Sequence, residues 1–124
     1  MRKYLLLLLL VSLPSMGATC YDTAMTQAAI SDCAQAESQS LDKDLNTAYK
    51  AVLKRFAEKP GFREKLKKAQ RAWIAFRDLE LELVSSDGSI SGMCRSNRQG
   101  QLNKERTAYL KSLLESQEGD GCAP

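Results

Sequence analysis

The tripeptide KPG at positions 59–61 constrains this chain more than any other feature, because it divides two long stretches of helical spacing. Pro60 cannot extend a preceding helical ladder, and Gly61 permits a turn. Upstream, Leu41, Leu45, Ala48, Tyr49, Val52, Leu53 and Phe56 form one stripe of an amphipathic helix, with Lys43, Lys50, Lys54 and Glu58 outside it. No Pro or Gly interrupts residues 23–38, so this helix is expected to reach back to about Thr23, with Asp22 or Thr26 as its cap. Downstream, a second helix is expected from Phe62 to Val84. Its apolar positions are Leu66, Ala69, Trp73, Phe76 and Leu83, widened by Ile74 and Leu81. The segment SSDGSISGM at 85–93 is a loop by composition. A third helix is expected from Asn103 to Gln117, with Asn103 as cap, Leu102 as staple, and Leu110, Leu113 and Leu114 as its buried face. A loose tail, EGDGCAP, follows. No alternating run is long enough for a strand. The expected fold is all-α: two long antiparallel helices with a third packed on them, stapled by disulfides.

The chain opens MRKYLLLLLLVSLPSMGATC. Arg2 and Lys3 precede an apolar run from Leu5 to Leu13, Pro14 breaks it, and small residues follow, which is the anatomy of a secretory signal peptide. The run is about half the length that spans a bilayer, which disfavours a retained membrane helix. Cleavage is expected near Ala18, leaving residues 19–124 as one small helical domain, periplasmic or secreted. Cys20 is preceded by Gly17, Ala18 and Thr19, which does not fit a lipid-attachment box. Without Arg2 and Lys3, the 18 basic residues fall to 16 against 15 acidic ones. That balance supplies no field to drive nucleic-acid or membrane binding.

Four cysteines, Cys20, Cys33, Cys94 and Cys122, read as disulfides in an exported chain, with three connectivities open. A metal site is disfavoured, since there is no Cys-x-x-Cys pair and no histidine. The missing histidine also removes the usual nucleophile–base pairings, so no catalytic residue, cofactor or metal is assigned.

The only tryptophan lies in AQRAWIAFRD, residues 69–78. Gln70, Trp73 and Arg77 share one helical face, and Asp42 and Asn46 share a face of the first helix. Antiparallel packing about the turn brings the two faces level. They read as a structural polar cluster in which Arg77 pairs with Asp42 or Asn46 to fix register, while Trp73 fills the core. A glycosidase-like pair of Asp42 with Glu80 has no other support in the sequence. Basic residues Lys50, Lys54, Arg55, Lys59 and those of FREKLKKAQR gather near the first turn and read as a solvated surface.

The order of features resembles the LprI-like family of small exported bacterial proteins, named after a mycobacterial lysozyme-inhibiting lipoprotein. The resemblance rests on Cys20, MTQ and Cys33, on LDKDLNTAY at 41–49, AQRAWIAFRD at 69–78 and DGSI at 87–90, and on Cys94 followed by LNKERTAYL at 102–110. It implies a non-enzymatic binding module whose protein partner is a lysozyme; the rival is a structural or adaptor protein of the bacterial envelope. The near-neutral charge gives no on-rate advantage towards strongly basic lysozymes. On the inhibitor reading, Ser89, Ser91, Gly92 and Arg95 form the candidate partner-binding loop. The resemblance also implies a Cys20–Cys33 bridge. Relatives often carry a cysteine where this chain has Leu81; here Cys122 stands in the tail instead, which leads to Cys94–Cys122 as the second bridge. Because bridged Cα atoms lie within about 7 Å, the first bridge requires Cys20 to fold back along a short initial helix, and Cys33–Cys94 is its competitor.

Overall fold

The structure, a computed structural model, describes residues 19–84 and 88–116. Four helices follow in order: α1 (Cys20–Thr23), α2 (Gln27–Arg55), α3 (Pro60–Leu83) and α4 (Ser91–Glu115). No strand occurs among the described residues, and no helix there is long and apolar enough to cross a membrane.

The chain folds back at its start because the helix breaks at Ala24–Thr26. The Asp22 carboxylate accepts from the Thr19 backbone N–H within the single turn of α1. Thr26 then caps α2, its hydroxyl oxygen accepting from the Ala29 N–H at 3.1 Å. This break brings Cys20 beside Cys33, where the two are bridged with Cα atoms 5.6 Å apart. The bridge expected from the resemblance is therefore present, and it excludes the Cys33–Cys94 alternative. Cys94 has no disulfide partner among the described residues; Cys122 and the remaining tail lie outside them.

At the other end α2 stops at Arg55, ahead of the expected stop at residues 59–61, and Phe56 packs on Phe62 with ring centroids 4.5 Å apart. Pro60 does not merely end one helix. It occupies the first turn of α3, where its missing N–H costs nothing, so α3 begins two residues before Phe62.

Helix α4 corrects the sequence reading most. It begins at Ser91, not Asn103, so the last three residues of the expected loop, 91–93, and the whole polar stretch after it are helical. Asn103 is no cap: it lies in mid-helix, fully buried. The turn before α4 uses Gly88 at φ +132°, a conformation that L side chains rarely adopt.

The helices run up, down, up. Along their parallel course α2 and α4 meet at Gln27 and Met93, then at Asp42 and Asn103, and finally at Arg55 and Ser116. Helix α3 is antiparallel to both. The closest backbone approach joins α2 to α4, so the intimate pair is parallel and the α2–α3 hairpin is the looser one. Small residues explain this. Ala34, Ser38 and Ala48 are buried on α2 and Gly100 on α4; a Cβ at Gly100 would sit 3.1 Å from Leu41 Cδ1 and 3.8 Å from Ser38 Cα. The apolar core, Leu45, Ala48, Val52, Phe56, Leu66 and Leu110, gathers toward the α2–α3 turn, with Trp73 packed against it. Val52 and Leu110 are completely buried, each worth about 1.5–3 kcal/mol of transfer free energy.

The buried face of α3 differs from the expected stripe. Leu66, Gln70 and Leu81 are buried, with Arg77 largely so, whereas Phe76 and Leu83 face solvent beside Leu79. The docking face mixes Leu66 and Leu81 with the polar Gln70 and Arg77, and the row of Phe76, Leu79 and Leu83 is left outside.

Candidate functional site

Three residues of the expected polar cluster, Asp42, Asn46 and Arg77, meet in one network between the helices, completed by Asn103, which the sequence reading placed at a helix cap. Arg77, on α3, donates from Nη1 to Asp42 Oδ1 on α2 at 3.3 Å and to Asn103 Oδ1 on α4 at 3.2 Å. Asn103 Nδ2 donates to the same Asp42 oxygen at 3.2 Å, and Asn46 Nδ2 donates to Asp42 Oδ2 at 3.2 Å. Arg77 also holds Asp78 through Nε and Nη2. One guanidinium thus ties three helices together at a fixed height.

A second set lies about two turns away along α3. Gln70 is buried, and its Oε1 accepts from Arg106 Nε at 3.0 Å. The Arg106 guanidinium stands 5.8 Å from the Trp73 ring and 5.0 Å from the Tyr109 ring, while that of Arg77 stands 5.4 Å from Trp73. Its Nη2 is buried without a hydrogen-bond partner, and desolvation pulls the group below its ordinary pKa, opposed by Tyr109. The aromatic faces supply part of what water would have given. Trp73 is half-buried between two arginines, combining the core-filling role expected of it with a cation-binding one.

A third set closes the far end. Arg98 Nη2 donates to Glu80 Oε2 at 2.6 Å, and Arg95 Nη1 donates to the Leu81 carbonyl at 2.7 Å. Asp42 and Glu80, the two carboxylates considered as a catalytic pair, are each held by an arginine. The network offers no free nucleophile or base. Among the described residues, no group of three or more Cys, Asp or Glu gathers to hold a metal ion. Its chemistry is positional.

The candidate loop residues separate. Ser89 is exposed in the turn, Ser91 and Gly92 begin α4, and Arg95 lies one turn in, its guanidinium committed to the end of α3. Ser91 N–H donates to the Gly88 carbonyl at 3.3 Å. Residues 88–91 therefore form a short projecting turn anchored by Arg95, with Ile90 44 % exposed at its tip; residues 85–87 lie outside the described residues. The basic cluster at the opposite end is partly consumed. Arg55 Nη2 donates to the Ser116 carbonyl, Lys59 stands over the Phe56 ring, and Lys67 pairs with Glu64, holding that carboxyl below its ordinary range.

Sequence reasoning missed Asn103, Arg106, Arg98 and Glu80 as network members. The available signal was their spacing: Arg98, Asn103 and Arg106 recur along α4 opposite Glu80, Arg77 and Gln70 in reverse order along α3.

Comparison with known proteins gives two matches and one absence. A family model described as lysozyme inhibitor LprI matches residues 19–110. A protein of Rhizobium meliloti (strain 1021), described as uncharacterised, is 36 % identical over 109 residues, covering 77 % of this chain and 78 % of its own length. No solved structure matches.

Proposed function

The chain belongs to the LprI lysozyme-inhibitor family, and on that premise we propose that it is an exported, non-enzymatic binding module that inhibits a lysozyme. The observation that carries this reading is the family match, which spans all four helices as far as Leu110. The proposed organisation is a leader over residues 1–18 and one helical domain thereafter, released to the periplasm or outside the cell.

The contact is assigned to the turn at residues 88–91. Its exposed Ser89 and Ile90 present a hydroxyl and an apolar tip on a backbone kept narrow by Gly88. A lysozyme cleft is lined for hydrogen bonding to sugars and carries its catalytic carboxylates, so a small polar projection suits it. Anchorage through Arg95 reduces the ordering cost on binding. Arg95 is a positioning residue here, in place of the direct carboxylate contact its charge suggests.

The test is clearing of cell-wall suspensions by several lysozyme classes, with wild type and a Ser89→Ala/Ile90→Ala variant. Inhibition by wild type that the variant loses by about tenfold or more supports the assignment. Equal inhibition by both keeps the function and moves the site, with the basic end around Lys59 and Arg63 next to be mutated. No inhibition of any class at micromolar protein contradicts the reading and favours an envelope adaptor.

A further inference from the structure

We infer that the outer face of α3 is a self-association surface, on which a second copy of this chain docks antiparallel. Phe76, Leu79 and Leu83 are 49 %, 62 % and 77 % exposed, the largest concentration of exposed apolar side chains among the described residues. They belong to a row, Lys65, Ala69, Ala72, Phe76, Leu79 and Leu83, whose steps alternate between four and three residues. That spacing is the seam of a coiled coil, and all of these residues are exposed. A seam about five turns long on one helix needs a helix opposite it.

The row itself identifies that helix. Its first half is small, with Ala69 and Ala72, and its second half is large. Antiparallel pairing about a two-fold axis near residue 74 sets Leu79 of one copy against Ala69 of the other, and Phe76 against Ala72. Large apolar side chains then meet alanine in the central layers, with Leu83 against the aliphatic stem of Lys65 at each end, whereas a parallel pair would stack Phe76 on Phe76 and Ala72 on Ala72. Charge repeats the pattern. Lys68 and Glu82, both exposed, flank the seam on the same side at opposite ends; the antiparallel pair places Lys68 beside Glu82 of the second copy, twice. A hollow of about 210 Å³ beside the row, lined by Phe62, Lys65, Leu66, Ala69, Arg106, Tyr109 and Leu113, lies where Leu79 and Leu83 of the second copy arrive. An isologous interface of this kind also sets the 88–91 turn of one copy near the basic end of the other.

Sedimentation equilibrium of the purified chain over roughly 1–500 µM tests this, with Leu79→Glu, Lys68→Glu, Glu82→Lys and the double exchange Lys68→Glu/Glu82→Lys. All substituted positions are exposed, and circular dichroism at each concentration checks that the helices persist. Expected are a reversible dimer, a dimer constant weakened about 100-fold or more by Leu79→Glu, weakening of roughly 3–10-fold by each charge reversal, and recovery in the double exchange. A monomer throughout the range overturns the proposal. So does a dimer indifferent to Leu79→Glu, or one weakened additively by the double exchange, which would mean that the two charges do not meet.

Discussion

Helix α4 meets its two neighbours by different means. Against α2 it packs closely through small and apolar residues, with Gly100 over Ser38 and Leu41. Against α3 it stands further off and reaches across with Arg95, Arg98, Asn103 and Arg106. The first contact gains most from the hydrophobic effect and tolerates small slips in register, since apolar contacts are not directional. The second specifies register, because a buried guanidinium or amide displaced by one helical turn loses its partners and leaves desolvated polar atoms behind. In this molecule the parallel seam supplies adhesion and the polar ladder tells α3 where to sit.

This contrast yields ordered expectations for thermal or denaturant unfolding. The largest loss is expected for Leu110→Ala, about 2–5 kcal/mol, since Leu110 is completely buried in the apolar core. Gly100→Val comes next, at about 1–3 kcal/mol, because its branched side chain must push against the Ser38 backbone, while Gly100→Ala meets only the movable end of Leu41. Arg77→Ala is expected to cost a similar 1–3 kcal/mol or so through the buried Asn103 oxygen it leaves bare. Lysine at 77 is not expected to rescue it, because one ammonium cannot serve Asp42, Asn103 and Asp78 together. Arg98→Ala is the mildest, at about 0.5–1 kcal/mol, since its pair with Glu80 is partly solvated. Near-equal costs for Arg98→Ala and Arg77→Ala would break the distinction between a buried anchor and a rim contact.

The same contrast explains what was legible in the sequence. Helix α2 was, because its apolar stripe is the face it buries: Leu45, Ala48, Val52 and Phe56 are all in the core. The break between α2 and α3 was, because covalent geometry bars Pro60 from continuing α2 whatever surrounds it, although the turn itself lies at residues 56–59 and Gly61 is already helical. The direction of α3 and the meeting of Arg77 with Asp42 followed from that turn. Helix α4 was not, because its first half buries Gly100, Leu102 and Asn103 while its arginines face a neighbouring helix. Such a helix has weak amphipathicity, and an asparagine amid polar residues looks like a cap. The face of α3 was misread for the complementary reason. Its exposed apolar row, Phe76, Leu79 and Leu83, is outside, and only the polar ladder to α4 on the inner face shows which face the fold uses. Hydrophobic spacing locates a helix; it does not say which face a polar partner will claim.

A double-mutant cycle on Arg77 and Asn103 tests the role of the polar ladder most directly. Arg77→Ala, Asn103→Ala and the double variant are unfolded in denaturant beside wild type, with Trp73 fluorescence reporting the α3 environment. If the ladder fixes α3, the double variant is more stable than the sum of the single losses allows by about 1 kcal/mol or more, because the second deletion removes a partner already lost. Additive losses within about 0.3 kcal/mol, with an unchanged Trp73 emission, would show that apolar packing alone positions α3 and would contradict the division of labour between the two faces of α4.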